Sequence, residues 1–187
     1  MEKVVKNMVC PRCVESVTKA ANDLRLPVRD VEIGKIRFTR KLRSSELENL
    51  ASKLEENGFE LAENRNQEIV SSVQAALIDY LSYIETGDGS SNISSFLTRK
   101  LPYNYSYLSQ VFSREKGTTI EKFFIKLKIE RVKELLEFKK YTLSEIAWKL
   151  NYSSVQYLSN QFKSVTGITV TEYLGQPDRE RIPLDQL

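Results

Sequence analysis

Cys10 and Cys13 are the two cysteines of a 187-residue chain that contains no histidine, and they stand in the run Cys10-Pro11-Arg12-Cys13. Two thiols at that spacing can close on one ion or on each other. Thiolate sulfur selects soft metals, and two such ligands suffice for near-linear Cu(I) coordination. Structural zinc takes four ligands, so one chain without histidine would have to add carboxylates, water or a second chain's cysteines. The pair could instead cycle between dithiol and disulfide, or be two partly buried thiols with no ligand. In a reducing compartment the spacing reads as a metal or redox site before it reads as a structural disulfide. Metal binding is therefore the first expectation, with Cu(I) foremost and Zn or another thiophilic metal as alternatives.

The surrounding pattern places the pair in a β–α loop. Val4 and Val5 lie in a short β-rich run before Met8, and Val14, Val17, Ala20, Ala21 and Leu24 then recur as a helical stripe. Pro11 suits the first turn of that helix, where its missing N–H would be unpaired anyway. A helix N-terminus is also expected to lower the thiol pKa and favour thiolate. Val31 and Ile33, a Gly34-Lys35 turn, then Ile36 and Phe38 predict a hairpin. Ser45 with Glu48 predicts a capping box for a second helix with Leu47, Leu50, Ala51 and Leu54 inward, stopped at Gly58. A last strand follows. The order is βαββαβ, an α+β ferredoxin-like sandwich over residues 1–63 with a small core. It is too short for a thioredoxin fold.

Met8-x-Cys10-x-x-Cys13 in the first β–α loop of such a unit resembles the heavy-metal-associated domain of copper chaperones and metal-exporting ATPases. The resemblance covers residues 2–63. It implies that Cys10 and Cys13 hold a soft ion, usually Cu(I), that Met8 packs beneath the loop, and that Phe59 lies near it. A metallochaperone or a second subunit is then a candidate partner. Ordering the loop around an ion would alter the surface near Phe59 and its docking onto a following helix over Ile69–Ile84.

From about Asn66 the periodicity turns all-helical, and residues 66–175 form the second expected domain. Ile69, Val73, Ala76, Leu77, Tyr80, Leu81 and Ile84 share one face of a first helix, which ends in the flexible run 85–91. Residues 103–119 then align without gaps to 153–169. Tyr107-Leu108-Ser109 matches Tyr157-Leu158-Ser159, Phe112 matches Phe162, and Gly117 matches Gly167. Thr142 and Glu145 cap the helix ahead of the second copy, and Asn151 fills its turn, where positive φ is wanted. Two helix-turn-helix units joined by one long helix, Glu121 to Phe138, are the plain reading. Lys126, Lys128, Lys133, Lys139 and Lys140 alternate there with Glu130, Glu134 and Glu137 as an expected solvated face. Tyr107 and Tyr157 read as packing residues, Trp148 as half-buried, and 176–187 as an irregular tail.

The second copy, from Ile146-Ala147 through Tyr152, Tyr157-Leu158-Ser159, Phe162-Lys163 and Gly167-x-Thr169, resembles the signature of the AraC/XylS transcription regulators. The resemblance implies double-stranded DNA as partner, with one recognition helix per copy in successive major grooves, about 34 Å apart. The joining helix, about 27 Å long at 1.5 Å per residue, is a spacer of that scale. The base-facing positions fall on Tyr105, Ser106, Ser109 and Gln110 in the first copy and on Val155, Gln156, Ser159 and Asn160 in the second. Gln156 and Asn160 can each pair bidentately with adenine, and Val155 can meet a thymine methyl. Asn104, Arg114, Ser154 and Lys163 are placed for phosphates.

Bulk charge adds little. Net charge is +3, with 12 basic against 11 acidic residues in 1–63 and 13 against 11 in 66–175. DNA binding therefore rests on motif and helix placement. No run approaches the ~18 apolar residues of a membrane span, and no apolar signal segment opens the chain, so the expected compartment is the cytoplasm. No nucleophile–base pair, carboxylate pair or phosphate loop is present, so the chain is not expected to be an enzyme.

Overall fold

The computed structural model describes residues 1–62, 64–87, 91–138, 140–176 and 182. Its first unit runs β1 (Glu2–Lys6), α1 (Pro11–Asp23), β2 (Val28–Glu32), β3 (Lys35–Phe38), α2 (Ser44–Glu55) and β4 (Glu60–Leu61). The strands form one sheet in the order β2-β3-β1-β4, every neighbouring pair antiparallel. Alternation decides its two faces. Val5, Ile36 and Phe38 point to the core with Val17, Ala21, Leu50 and Leu54 from the two helices. On the other face Arg37 bonds Glu2, Asp30 and Glu32, three carboxylates on the two strands beside its own.

Two local expectations shift. The cap of α2 lies two residues earlier than expected, on Arg43 rather than Ser45, and the reciprocal carboxylate is Glu46 rather than Glu48. Glu46 accepts from the Arg43 backbone N–H at 2.8 Å and from Arg40. Those contacts, the Arg40 guanidinium first, lower its pKa to about 2. Phe59 is buried at 7% exposure inside the first core, so it offers no surface for docking.

The second unit is helical: α3 (Arg65–Glu85), α4 (Ile93–Lys100), α5 (Tyr105–Lys116), α6 (Ile120–Glu137), α7 (Leu143–Lys149), α8 (Val155–Thr166) and α9 (Val170–Gly175). Asn64 caps α3 by accepting from the Asn66 and Gln67 N–H groups. The predicted stripe of α3 is buried, and the helix packs along α5. Thr142 and Glu145 form the expected reciprocal cap of α7, and Asn151 adopts φ 52°. Helix α9 was not foreseen. It is opened by the same kind of cap, Thr169 with Glu172, and carries buried Tyr173.

Helix α6 corrects the solvated-face expectation, because α3, α5, α7 and α8 all pack on it. Glu130 and Lys133 are buried, at 4% and 7% exposure, and pair at 2.7 Å. Glu130 also accepts from the Ile182 backbone N–H. Lys128 lies over the Tyr152 ring, and burial pulls its pKa down to about 8. Trp148, expected half-buried, is 74% exposed. Glu63, Lys139, residues 88–90 of the 85–91 run, and the expected irregular tail apart from Gln176 and Ile182 lie outside the described residues.

The two units meet along β1 and the β2–β3 turn. Strand β1 contacts α3. Gly34, at φ 82°, approaches α3 so closely that an added Cβ would lie 3.3 Å from the Cβ of Ala75. Among the described residues no helix is long and apolar enough to cross a membrane.

Candidate nucleic-acid interface and thiol site

The repeat builds two similar helices at equivalent places. Asn104 and Ser154 cap α5 and α8, each accepting from the N–H three residues on, at 2.9 and 3.0 Å. Gly117 and Gly167 end them in the left-handed conformation at φ 66° and 81°, which glycine adopts without steric cost. Leu108, Phe112, Leu158 and Phe162 fix the buried sides. The two expected phosphate contacts Asn104 and Ser154 thus have a capping task first, and their remaining N–H and O–H groups sit at helix N-termini. Such termini favour anions.

The exposed side of α8 carries Gln156 and Asn160, one turn apart, with Ser159 half-buried between them. The Gln156 Nε2 donates to Asn160 Oδ1 at 2.9 Å. The helix forms a ridge between two concavities. One, about 760 Å³, is lined by Gln156, Ser159, Asn160 and Lys163 together with Thr169 and Thr171. The other, about 540 Å³, is lined by Tyr157, Asn160 and Ser164 with Lys122 and Lys126 from α6. A ridge of amides flanked by lysine-edged hollows has the form that enters a major groove while receiving a sugar–phosphate strand on either side. Lys122, Lys126 and Tyr157 line the second of these hollows and are not among the expected site residues. Lys126 is exposed, as its alternating charge pattern predicts, and Tyr157, expected to pack, is 54% exposed.

On α5, Ser106 and Gln110 are exposed, Ser109 is half-buried and Arg114 is exposed beside Glu115. Tyr105 and Val155 depart from expectation in the same way. They are equivalent positions of the repeat, and both pack against the helical core. Tyr105 is further tied to α6 by a hydrogen bond to Glu121. Both side chains are half-buried, and of the expected base-facing positions Ser106 and Gln110 on α5 and Gln156 and Asn160 on α8 are the exposed ones.

The amide pair carries a prediction. Gln156→Ala and Asn160→Ala should each cost about 1–3 kcal/mol against the preferred duplex. Because the two side chains are bonded, the double variant should cost less than the two single losses together. A double-mutant cycle by fluorescence anisotropy measures this. Fully additive losses would mean that the two amides act independently.

Thirteen residues of α1 begin directly after Cys10, its N-cap, with Pro11 at the first helical position. The Cys10 and Cys13 sulfurs lie 3.2 Å apart and the Cys13 N–H donates to the Cys10 carbonyl. Met8 is buried under the loop in the first core. Asn7, at φ 69°, turns the chain out of β1 and donates from Nδ2 to the Gly58 carbonyl. The expected fall in thiol pKa is reversed at Cys13. Burial pushes that thiol up and outweighs the backbone contacts with Val9 and Cys10. Both sulfurs converge on one side of the loop, and among the described residues no group of three or more Cys, Asp or Glu forms a larger ligand set. This donor set fits a soft ion content with two thiolates and does not fit four-coordinate zinc from one chain.

Residues 97–176 match the family model described as "Helix-turn-helix domain". They therefore contain the end of α4 and all of α5 to α9. An uncharacterized HTH-type transcriptional regulator of Bacillus subtilis (strain 168), YtdP, is 31% identical over 80 residues, which are 43% of this chain and 10% of that protein. The chain thus aligns with about a tenth of the length of this curated relative.

Proposed function

We propose that this chain is a cytoplasmic, non-enzymatic transcription regulator that binds duplex DNA sequence-specifically through α5 and α8. The observation that carries the reading is the α8 ridge, with Gln156 and Asn160 at its crest and lysine-edged hollows on both flanks. The repeat supplies a second exposed helix face on α5, with Ser106 and Gln110, and α6, 18 residues long, is of the right length to hold the two readers one helical turn of DNA apart. The AraC/XylS resemblance and the domain match at 97–176 support the same reading.

For the first unit the reading is a ferredoxin-like domain of the heavy-metal-associated kind, supported by its element order and its β2-β3-β1-β4 sheet. Cys10 and Cys13 hold a soft ion, Cu(I) foremost, and the ion acts as a signal. Bound there, it would link the two sulfurs and order the loop around them. The 3.2 Å approach of the sulfurs favours one second reading, a dithiol redox module. A thiolate–Cu(I) charge-transfer band separates the two, since the redox reading instead requires reversible disulfide formation in a glutathione buffer.

The test of DNA binding uses the full chain against a random duplex library. A preferred sequence should emerge, and log affinity for it should fall linearly with log salt. Replacing Lys163 or Lys126 with alanine should flatten that slope by about 1 each without changing the preferred sequence. Failure to retard any duplex at low salt would reject the function.

A further inference from the structure

The segment that leads into the first thiol does not end in solvent. Asn7, Met8 and Val9 line a cavity of about 20 Å³ together with Val5 and Gly34 of the first unit, Ser71, Gln74, Ala75 and Ile78 of α3, and Phe123 and Leu127 of α6. The residue before Cys10 therefore sits against the helix that spaces the two DNA readers. Gly34 packs closely on Ala75, where an added Cβ would lie 3.3 Å away.

This contact is incompletely satisfied. Ser71 is 6% exposed and its hydroxyl has no hydrogen-bond partner. A buried hydroxyl without a partner is unfavourable, and the cavity beside it is just large enough to admit a water. Asn7 holds a left-handed φ that non-glycine residues rarely adopt. The contact between the units thus combines a small cavity with a buried hydroxyl that no described group satisfies. Packed cores switch between discrete arrangements rather than deforming continuously.

Resting on the reading of Cys10 and Cys13 as a soft-ion site, we infer that the Asn7–Val9 segment is the lever through which that site acts on DNA. Closing the loop on an ion moves Val9 and Met8 against Ile78, Phe123 and Leu127. The movement repositions α6 relative to α3, and α6 carries α5 at one end and α7–α8 at the other. Operator affinity then responds to the ion because the distance and angle between the two readers change. The ion has to bind the two arrangements unequally for this to occur.

Two arms test the lever. In the first, Cu(I) is supplied to the full chain from a buffered chelator, and affinity for the duplex selected from the random library is measured with and without it. Wild type should shift about 5–150-fold, with altered hydrogen exchange at Ser71–Ile78 and Phe123–Leu127. The Ile78→Ala variant should keep Cu(I) affinity, measured against the chelator, and metal-free DNA affinity, yet lose most of the shift. A full shift in Ile78→Ala, or a Cu(I)-loaded wild type without any shift, overturns the inference.

The second arm needs no metal, so it separates failure of the lever from failure of the soft-ion reading. Val9→Phe overfills the joint while leaving both cysteines and the expected DNA-facing residues in place, and should change operator affinity about fivefold or more in metal-free protein. Adding Ile78→Ala makes room for the ring and should restore wild-type affinity. Circular dichroism confirms that both variants fold, and the compensating pair excludes simple damage. Unchanged operator affinity in a folded Val9→Phe overturns the lever. A chain whose metal-free arm behaves as expected but which takes up no Cu(I) would keep the lever and reject the ion.

Discussion

If Cys10 and Cys13 are the proposed soft-ion site, Cys10→Ser combined with Cys13→Ser should abolish Cu(I) uptake by this chain and leave its fold nearly unchanged. The loss is total because the chain has no other cysteine and no histidine, and hard carboxylates do not replace thiolates for Cu(I). The small effect on folding follows from where the two side chains lie. Cys10 occupies the N-cap of α1 but makes no capping hydrogen bond. Serine is among the favoured N-cap residues, and gains about 0.5–1 kcal/mol over a residue that does not cap. Cys13 packs only partly against the first core, so exchanging its sulfur for oxygen should cost a similar amount, on the order of 1 kcal/mol, in lost apolar burial. The two terms offset each other. Competition against a Cu(I) chelator and urea unfolding measure both halves. Retained Cu(I) affinity in the double variant would place the ion elsewhere, and collapse of the fold would give the cysteines a structural task.

The second large effect is on stability. Lys133→Ala should cost about 3–5 kcal/mol, because it strands the Glu130 carboxylate in the interior. Against a domain stability of about 5–15 kcal/mol, that is enough to unfold much of the protein under mild conditions. With a urea slope of about 1–3 kcal/mol per molar, the midpoint should fall by more than 1 M. The sign depends on which charge remains. Removing both, by Glu130→Leu with Lys133→Met, leaves no buried charge and should return stability to near the wild-type value, since well-packed apolar pairs often equal buried ion pairs. A loss in Lys133→Ala below 1 kcal/mol would show that water reaches Glu130 freely. Recovery failing in the apolar pair would instead assign the cost to the Ile182 contact or to the Lys133 stem under Tyr173.

Much of the second unit was legible because its signals are local. Asn151 in its turn and the Thr142–Glu145 cap are each decided by backbone sterics or hydrogen bonding within a few residues. The gapless repeat carried the same local solution twice, so caps, apolar stripes and stop glycines of α5 and α8 could be read from either copy. Pro11 at the start of α1 and Gly34 in the hairpin turn belong to the same class. The start of α2 was read two residues late because Arg43, Ser44 and Ser45 compete for one cap, and Arg40 helps hold Glu46 from outside the helix.

What the sequence determined by itself was therefore the elements up to α8, the repeat, the sulfur pair and the outward amides Gln156 and Asn160. Tertiary structure alone decided what covers what. Charges alternating along α6 look identical whether water or another helix faces them, and only the packing of neighbouring helices on α6, with Tyr173 near Lys133 and Ile182 bonded to Glu130, buries that pair. Tyr105 and Val155 have the position of base readers, but both pack partly against the helical core, and Tyr105 bonds Glu121 of α6. The seat of Asn7–Val9 on α3 and α6 joins residues more than 60 positions apart, and no periodicity or cap encodes a contact of that range. It exists because two apolar surfaces, each formed locally, are buried against one another when the units meet.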